Sequence, residues 1–306
     1  MTELAIDVHG LSKRFGDKLA VNQVDIQMPR GQVWGFLGPN GSGKTTTIRM
    51  LCGLLKISEG EGQCLGLDIR TQSRQIRRQT GYMTQHFSFW NDLTIRENLE
   101  FVARIYQLPD ARHRVDETLA ELGLSHRQQQ LAGNLSGGWK QRMALAAVTM
   151  HNPRLLLLDE PTAGVDPQAR RDFWEQIHRL SDLGMTVLVS THYMDEAERC
   201  DHIVYLANGE LITQGSVAGI IQQSGLITFR CEQPGARQQA EWLRQQAAIE
   251  QVAYFGAALH VSGHNREAVS AALSNSALVW QEVKPDLEDV FISLMHQAGT
   301  DQRDYA

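Results

Sequence analysis

Gly38-Pro39-Asn40-Gly41-Ser42-Gly43-Lys44-Thr45-Thr46 is the stretch on which the reading of this chain turns. Val33 to Leu37 (VWGFL) precedes it, a short apolar run that predicts a buried strand. Thr46 to Leu55 follows and predicts a helix, with Ile48, Met50, Leu51, Leu54 and Leu55 as its apolar positions. A strand, a glycine-rich turn and a helix start together make an anion site. Glycine permits backbone torsions that a side chain forbids. Successive N–H groups can then point at phosphate oxygens, and the helix dipole adds partial positive charge. In such a loop Lys44 reaches the β- and γ-phosphates, and the Thr45 hydroxyl can ligate Mg²⁺. The bland alternative is a glycine turn ahead of an ordinary helix; the G-x-x-x-x-G-K-[ST] order and the flanking strand disfavour it. The stretch alone specifies a nucleoside triphosphate, because kinases, GTPases and many ATPases share it.

The 306 residues are 42% hydrophobic and 21% charged, enough for one large α/β domain and one small one. With 29 Lys plus Arg against 35 Asp plus Glu the net charge is -6, so no nucleic-acid partner is expected. Apolar runs such as Leu155 to Leu158 are too short to span a bilayer, and the N-terminus, with Glu3 and Asp7, does not read as a signal peptide. Cys52, Cys64, Cys200 and Cys231 form no C-x-x-C pair and read as free thiols of a reducing compartment.

Alternation in Leu4 to Val8 and Leu19 to Met28 predicts two or three strands ahead of the phosphate loop. Phe15, between them, can stack on an adenine ring or be an ordinary turn aromatic. Gly81 to Gln85 predicts a strand ending in a polar residue. The Gln85 amide can bind Mg²⁺ or the attacking water, although a lone Gln there is more often a turn residue. Residues 92 to 150 read as a helical insertion. Thr94-Ile95-Arg96-Glu97 is a capping box, Pro109 or Asp110 opens a second helix, and Gly123 ends it. Leu135-Ser136-Gly137-Gly138-Trp139 then begins a third helix, with Ser136 as N-cap: a second anion site, or simply a capped helix.

Leu155 to Leu158 predicts a strand buried on both faces of a parallel sheet, with Asp159 and Glu160 at its C-terminal end, where ligands bind in open α/β sheets. Asp159 would hold Mg²⁺, through water, and Glu160 would polarise the attacking water. A helix is expected over Gln168 to Leu183 and a strand over Thr186 to Ser190. His192 follows that strand, placed to donate a hydrogen bond to a γ-phosphate. Ile203 to Gly215 reads as a hairpin with a type I′ Asn208-Gly209 turn.

Together these residues resemble the ATP-binding cassette (ABC) ATPases. In that resemblance Walker A is Gly38 to Thr46, the Q-loop residue is Gln85, and the signature motif is Leu135 to Trp139. Walker B is Leu155 to Asp159 with Glu160 after it, the D-loop is Ala163 to Asp166, and the switch histidine is His192. EPTAGVDP and STHYMDEAERCD are similar to ATPase subunits of ABC-2-type drug and lipid exporters. Trp139 stands where Gln is commoner, and Phe15 where Tyr is common. The resemblance implies a P-loop cassette with a parallel-sheet core, an antiparallel β subdomain and a helical insertion. It implies ATP and Mg²⁺ as cofactors, with Lys44, Gln85, Glu160 and His192 as catalytic groups and Thr45, Gln85 and Asp159 around the metal. Phe15, the phosphate loop, Ser136, Gly137, Gly138 and Asp166 would face nucleotide. Two cassettes would pair head to tail, as a homodimer, so that Ser136 and Gly138 of one close over ATP on Lys44 of the other. Separate transmembrane permease chains would follow the motion, with the cassette peripheral on the cytoplasmic face of the inner membrane. Gln85, Phe87, Phe89 and Trp90 are the candidate docking pocket. An importer ATPase with a regulatory C-terminal domain is the competing transport reading; a soluble ABC ATPase acting on ribosomes or DNA is the competing reading of another class.

Residues 1–224 are therefore expected to form the nucleotide-binding domain and 225–306 an accessory α+β domain, joined at Ser224-Gly225. The second part reads as strand (Leu226 to Cys231), helix (Ala236 to Gln246), two strands (Glu250 to Phe255, Ala257 to Ser262), helix (Arg266 to Leu273) and strand (Leu278 to Val283). That β-α-β-β-α-β order is ferredoxin-like. A last helix starts at Asp286, and PDLEDVFISL resembles the C-terminal segment of exporter ATPases.

Overall fold

The computed structural model describes residues 3–297. β1 (Leu4–Phe15) and β2 (Lys18–Pro29) form a hairpin longer than expected, because pairing continues through several register shifts to Phe15 and Lys18 beside the Gly16-Asp17 turn. The fully buried β3 (Val33–Leu37) leads into the phosphate loop and α1 (Lys44–Leu51), which stops before the expected Leu55 because Gly53 takes a left-handed φ of 69°. β4 (Glu59–Cys64) and β5 (Leu67–Asp68) pair antiparallel back onto the hairpin, giving a sheet of order β2-β1-β4-β5. α2 (Ser73–Gln79) then delivers β6 (Thr80–Met83) to a second sheet.

The insertion comprises α3 (Ile95–Ile105), α4 (Ala111–Glu121) and the start of α5 (Gly137–Thr149). The Thr94 capping box is formed: the Glu97 N–H donates to Thr94 Oγ1 at 3.2 Å, and the Thr94 N–H to Glu97 Oε2 at 2.8 Å. Fully buried Asn98 is satisfied by the loop that it anchors. Its amide donates to the carbonyls of Trp90, Leu93 and Thr94 and accepts from the Trp90 N–H. Beyond lie β7 (Leu155–Asp159), α6 (Pro167–Asp182), β8 (Thr186–Thr191), the short α7 (Met194–Ala197), β9 (His202–Ala207) and β10 (Glu210–Ser216). Asn208 and Gly209 both have positive φ, 52° and 82°, as a type I′ turn requires.

The second sheet has the order β10-β9-β3-β8-β7-β6, with β9, β3, β8, β7 and β6 parallel. Its two faces bury separate apolar clusters, and the four leucines of β7 divide between them. Leu155 and Leu157 join Trp34, Phe36 and Ile48, on the side of α1 and the antiparallel sheet. Leu156 and Leu158 join Met143, Phe173 and Ile177 of α5 and α6. A strand buried on both faces has no position for a polar side chain until it ends at Asp159.

The chain divides into two compact units between Leu211 and Ile212, inside β10 and ahead of Ser224-Gly225. The reason is that α8 (Val217–Ser224) packs on α11 (Leu287–Gln297) and so belongs to the second unit. That unit also holds β11 (Ile227–Cys231), α9 (Ala240–Arg244), β12 (Gln251–Phe255), β13 (Ala258–Gly263), α10 (Arg266–Ser274) and β14 (Gln281–Val283). Its sheet is antiparallel, of order β12-β13-β11-β14. Two expectations need correction. The helix over Ala236 to Gln246 is instead a 3₁₀ turn, Ala236–Gln239, followed by α9. The strand from Leu278 shrinks to β14: the Val279 N–H donates to the Gln233 side chain instead of to the ladder, and the Trp280 indole N–H donates to Ser276 Oγ.

Replacing Thr94 by Ala removes one half of the capping box. We expect a loss of about 1 kcal/mol of stability, read as a lower urea midpoint with an unchanged slope.

Candidate functional site

The phosphate loop is shaped by positions that admit no side chain. A Cβ on Gly38, whose φ is 144°, would lie 2.1 Å from the Leu206 carbonyl oxygen; one on Gly43, at φ 101°, would lie 2.8 Å from that of Ala20. The Lys44 ammonium lies over the loop and donates to the Gly38 carbonyl at 2.6 Å and that of Pro39 at 3.0 Å. A lysine has three N–H donors, so one remains for a ligand in the loop. Burial pushes its pKa below the usual lysine value, while the nearby Glu160 and Asp159 carboxylates pull it back up. Beside the loop opens a cleft of ≈ 480 Å³ lined by Phe15, Asn40, Gly41, Gly43, Lys44, Thr45, Thr46, Gln85 and Glu160. Phe15, 49% exposed, borders that cleft, with the Lys13 ammonium 5.1 Å from its ring centre.

β8 lies between β3, which carries the loop, and β7, which carries the carboxylates. Ser190 of β8 pairs in register with Asp159, and its hydroxyl donates to Asp159 Oδ1 at 2.8 Å. Thr45 Oγ1 donates to the same oxygen at 3.0 Å, and the Tyr82 hydroxyl to Oδ2 at 3.3 Å. Thr45 and Asp159 therefore meet across β8, as their expected sharing of a metal requires. Ser190 and Tyr82 were not singled out in the sequence. What marks them is their place opposite an acidic strand end, which is visible only once strand order is known.

Glu160 has a left-handed φ of 47°, uncommon for a residue with a side chain. Its N–H is held by Ser190, 3.2 Å from the carbonyl and 3.0 Å from the hydroxyl. Gln85 Nε2 donates to Glu160 Oε2 at 3.0 Å, and His192 Nδ1 lies 3.6 Å from the same oxygen. Two residues, from beyond the ends of β6 and β8, thus converge on one carboxylate. Gln85, an expected metal ligand, here has its amide on Glu160. Behind them the fully buried Glu196 accepts from Thr191 Oγ1 at 2.7 Å and from Thr162 Oγ1, and pairs with Arg170 at 3.4 Å. It ties the segments on either side of His192 to the loop after Glu160.

Ser136, Gly138 and Asp166 line a different cleft, of ≈ 180 Å³. Ser136 occupies the N-cap position of α5, but its hydroxyl makes no cap hydrogen bond and is exposed, which corrects the capping expected from sequence. Asp166 is instead the capping residue of α6: its Oδ1 accepts from the N–H groups of Gln168 at 3.1 Å and Ala169 at 3.0 Å. A Cβ on Gly138 would come 2.5 Å from that of Ala169, so glycine is what lets the two helix starts touch.

Comparison with known proteins agrees with this geometry. Residues 21–163 match the family described as ABC transporter. The chain is 34% identical to the Nod factor export ATP-binding protein I of Rhizobium sp. (strain N33), over 96% of this chain and 98% of that protein. The chain belongs to the ABC transporter ATP-binding proteins. It is also 42% identical to the probable multidrug ABC transporter ATP-binding protein YbhF of Escherichia coli (strain K12); the match covers 72% of this chain but only 39% of that protein's length. Among solved structures, the dimeric post-hydrolysis state of the ATP-binding cassette MJ0796 bound to ADP and Pi is similar, with a TM-score of 0.63 and 26% identity, covering 69% of this chain and 98% of that one. This is an ABC transporter ATPase, of a family whose members bind ATP, dimerise and pair with permease subunits. Among the described residues, no helix is long and apolar enough to cross a membrane.

Two features of this ABC ATPase differ from the sequence expectation or extend it. Trp139, in the expected signature motif, has two guanidinium groups over its ring, Arg127 at 4.5 Å and Arg142 at 5.0 Å. Of the rings expected to form a docking pocket, Phe87 and Phe89 pack against the core, while Trp90 is exposed and stacks edge-on against Phe101 at 4.3 Å.

Ser190→Ala should lower kcat by about 10- to 100-fold, since a hydrogen bond to a charged group contributes roughly 1.5–3 kcal/mol. ATP affinity, set by the loop, should change by less than about threefold. Steady-state hydrolysis beside nucleotide titration separates the two.

Proposed function

We propose that this chain is the ATP-hydrolysing subunit of an ABC-2-type exporter and works as a homodimer with two shared sites. One observation carries the reading: Lys44 and Ser136 line separate clefts of the same chain. Each cleft holds half of what a phosphate needs. Lys44 and the loop N–H groups are in one; the exposed start of α5, with free N–H groups and a positive dipole end, is in the other. A two-fold pair brings each half to its complement.

In the closed site ATP rests in the loop, with Phe15 against its adenine. Thr45 and Asp159 supply hard oxygen donors that fit Mg²⁺. When bound, that ion neutralises phosphate charge. Glu160 orients and polarises the attacking water, held by its constrained backbone and by Gln85. His192 donates to the γ-phosphate. Loss of that phosphate releases His192 from it and weakens the dimer. The exporter assignment draws on the printed names of the relatives, a multidrug and a Nod factor export protein. Separate permease chains would dock beside Trp90 and Phe101, placing the cassette on the cytoplasmic face of the membrane. The second unit, α8 included, serves as an accessory ferredoxin-like domain, a reading supported by the strand order β12-β13-β11-β14.

Glu160→Gln should bind ATP yet hydrolyse it at least about 100-fold more slowly, accumulating an ATP-dependent dimer in light scattering. A protein that stays monomeric with ATP and Mg²⁺ refutes the dimer. Mixing Ser136→Arg with Lys44→Ala leaves at most one intact composite site in each mixed dimer, so activity should reach about half of wild type or less. Full activity in the mixture overturns the shared-site reading.

A further inference from the structure

In the second unit, β13 and the first turn of α11 bring together His260, Asp286 and Asp289, with one ligand-type atom from each within 4.8 Å of the others. Asp289 is fully buried, His260 is 8% exposed and Asp286 is half-buried. Part of the arrangement is explained by helix capping. The Asp289 N–H donates to Asp286 Oδ1 at 2.8 Å, and the Asp286 N–H faces Asp289 Oδ2 at 3.4 Å. His260 Nδ1 lies 3.3 Å from that same Asp289 oxygen. Capping leaves Asp289 Oδ1 unexplained: it is buried and has no hydrogen-bond partner. Among the described residues, the one ion pair to these carboxylates is that with His260; no Lys or Arg reaches them.

Two carboxylates and one imidazole in such a place need a cation. Protons would have to be taken up by the groups one at a time. A divalent ion answers all three at once, because buried charges are stable when paired or when they coordinate a metal. We propose that His260, Asp286 and Asp289 form a site for a divalent transition-metal ion of the Zn²⁺ class. One nitrogen and two carboxylate oxygens suit that class better than the all-oxygen sets of Mg²⁺ and Ca²⁺. Bonds of about 2.0–2.2 Å hold two ligands at most about 4.4 Å apart. The cluster therefore closes by a few tenths of an ångström, through rotation of the half-buried Asp286. Water completes the coordination. The ion would fasten β13 to the start of α11, so binding should stabilise this unit.

The test uses the full chain, stripped with EDTA, dialysed and free of nucleotide so that the phosphate loop does not recruit metal. Co²⁺ is titrated in, with visible absorption reporting coordination and calorimetry the stoichiometry. We expect one Co²⁺ per chain, displaced by Zn²⁺, and a higher melting temperature with Zn²⁺ than with EDTA. Asp286→Asn keeps an oxygen for the helix cap, and His260→Gln removes the imidazole. Each should weaken Co²⁺ binding by at least about tenfold and abolish the thermal shift, while circular dichroism and ATPase activity stay as in wild type. No Co²⁺ uptake by the wild-type chain overturns the proposal. So does wild-type affinity in either variant, which would mean that the metal sits on other histidines or on the thiols.

Discussion

The hydroxyl of Ser190 holds the site together. The phosphate loop grows from β3 and the acidic pair from β7, yet these strands are not neighbours, because β8 runs between them. Thr45 of the loop reaches Asp159 directly, and the end of β8 holds the acidic pair from between the two strands. Ser190 does so twice: its oxygen donates to Asp159 and receives the N–H of Glu160. That second contact helps to hold Glu160 in a backbone conformation that few residues with side chains adopt. The loop and the carboxylates are in this way registered through a residue that touches both of the latter and carries no charge of its own.

The rest of the fold keeps this register rigid. A slip of one residue between β7 and β8 would part Asp159 from Ser190 and set a carboxylate among apolar side chains. Burying one leucine contributes roughly 1.5–3 kcal/mol, and β7 buries four in a row. Glu196 adds a polar lock behind His192. Its carboxylate is wholly inside, but two hydroxyls and Arg170 answer it, the condition under which a buried charge is tolerated.

Much of this was legible beforehand where chemistry is written in consecutive residues. Walker A needs its glycines and Lys44 at fixed spacing, and four leucines ahead of Asp159-Glu160 have few other uses. The Thr94 capping box and the Asn208-Gly209 turn are local, so they too could be read. What stayed hidden depends on which strand lies beside which. Ser190 and Tyr82 look like ordinary strand residues until their register against Asp159 is known. The ring cluster at 87–90 shows the same limit, because aromatic identity does not distinguish Phe87, packed on the core, from the exposed Trp90. In the second unit the ladder competes with side chains for the backbone. Gln233, which lies outside β14, takes the Val279 N–H ahead of the point where it begins.

Gly138 sits against Ala169 with no space for even one methyl group between the two helix starts. Asp166 pins the first turn of α6 from the other side. The two ends therefore act as a single lever without slack. If the segment that follows Glu160 shifts when the phosphate leaves, α5 has to shift with it, and in the proposed dimer the grip on the opposite nucleotide loosens in the same stroke.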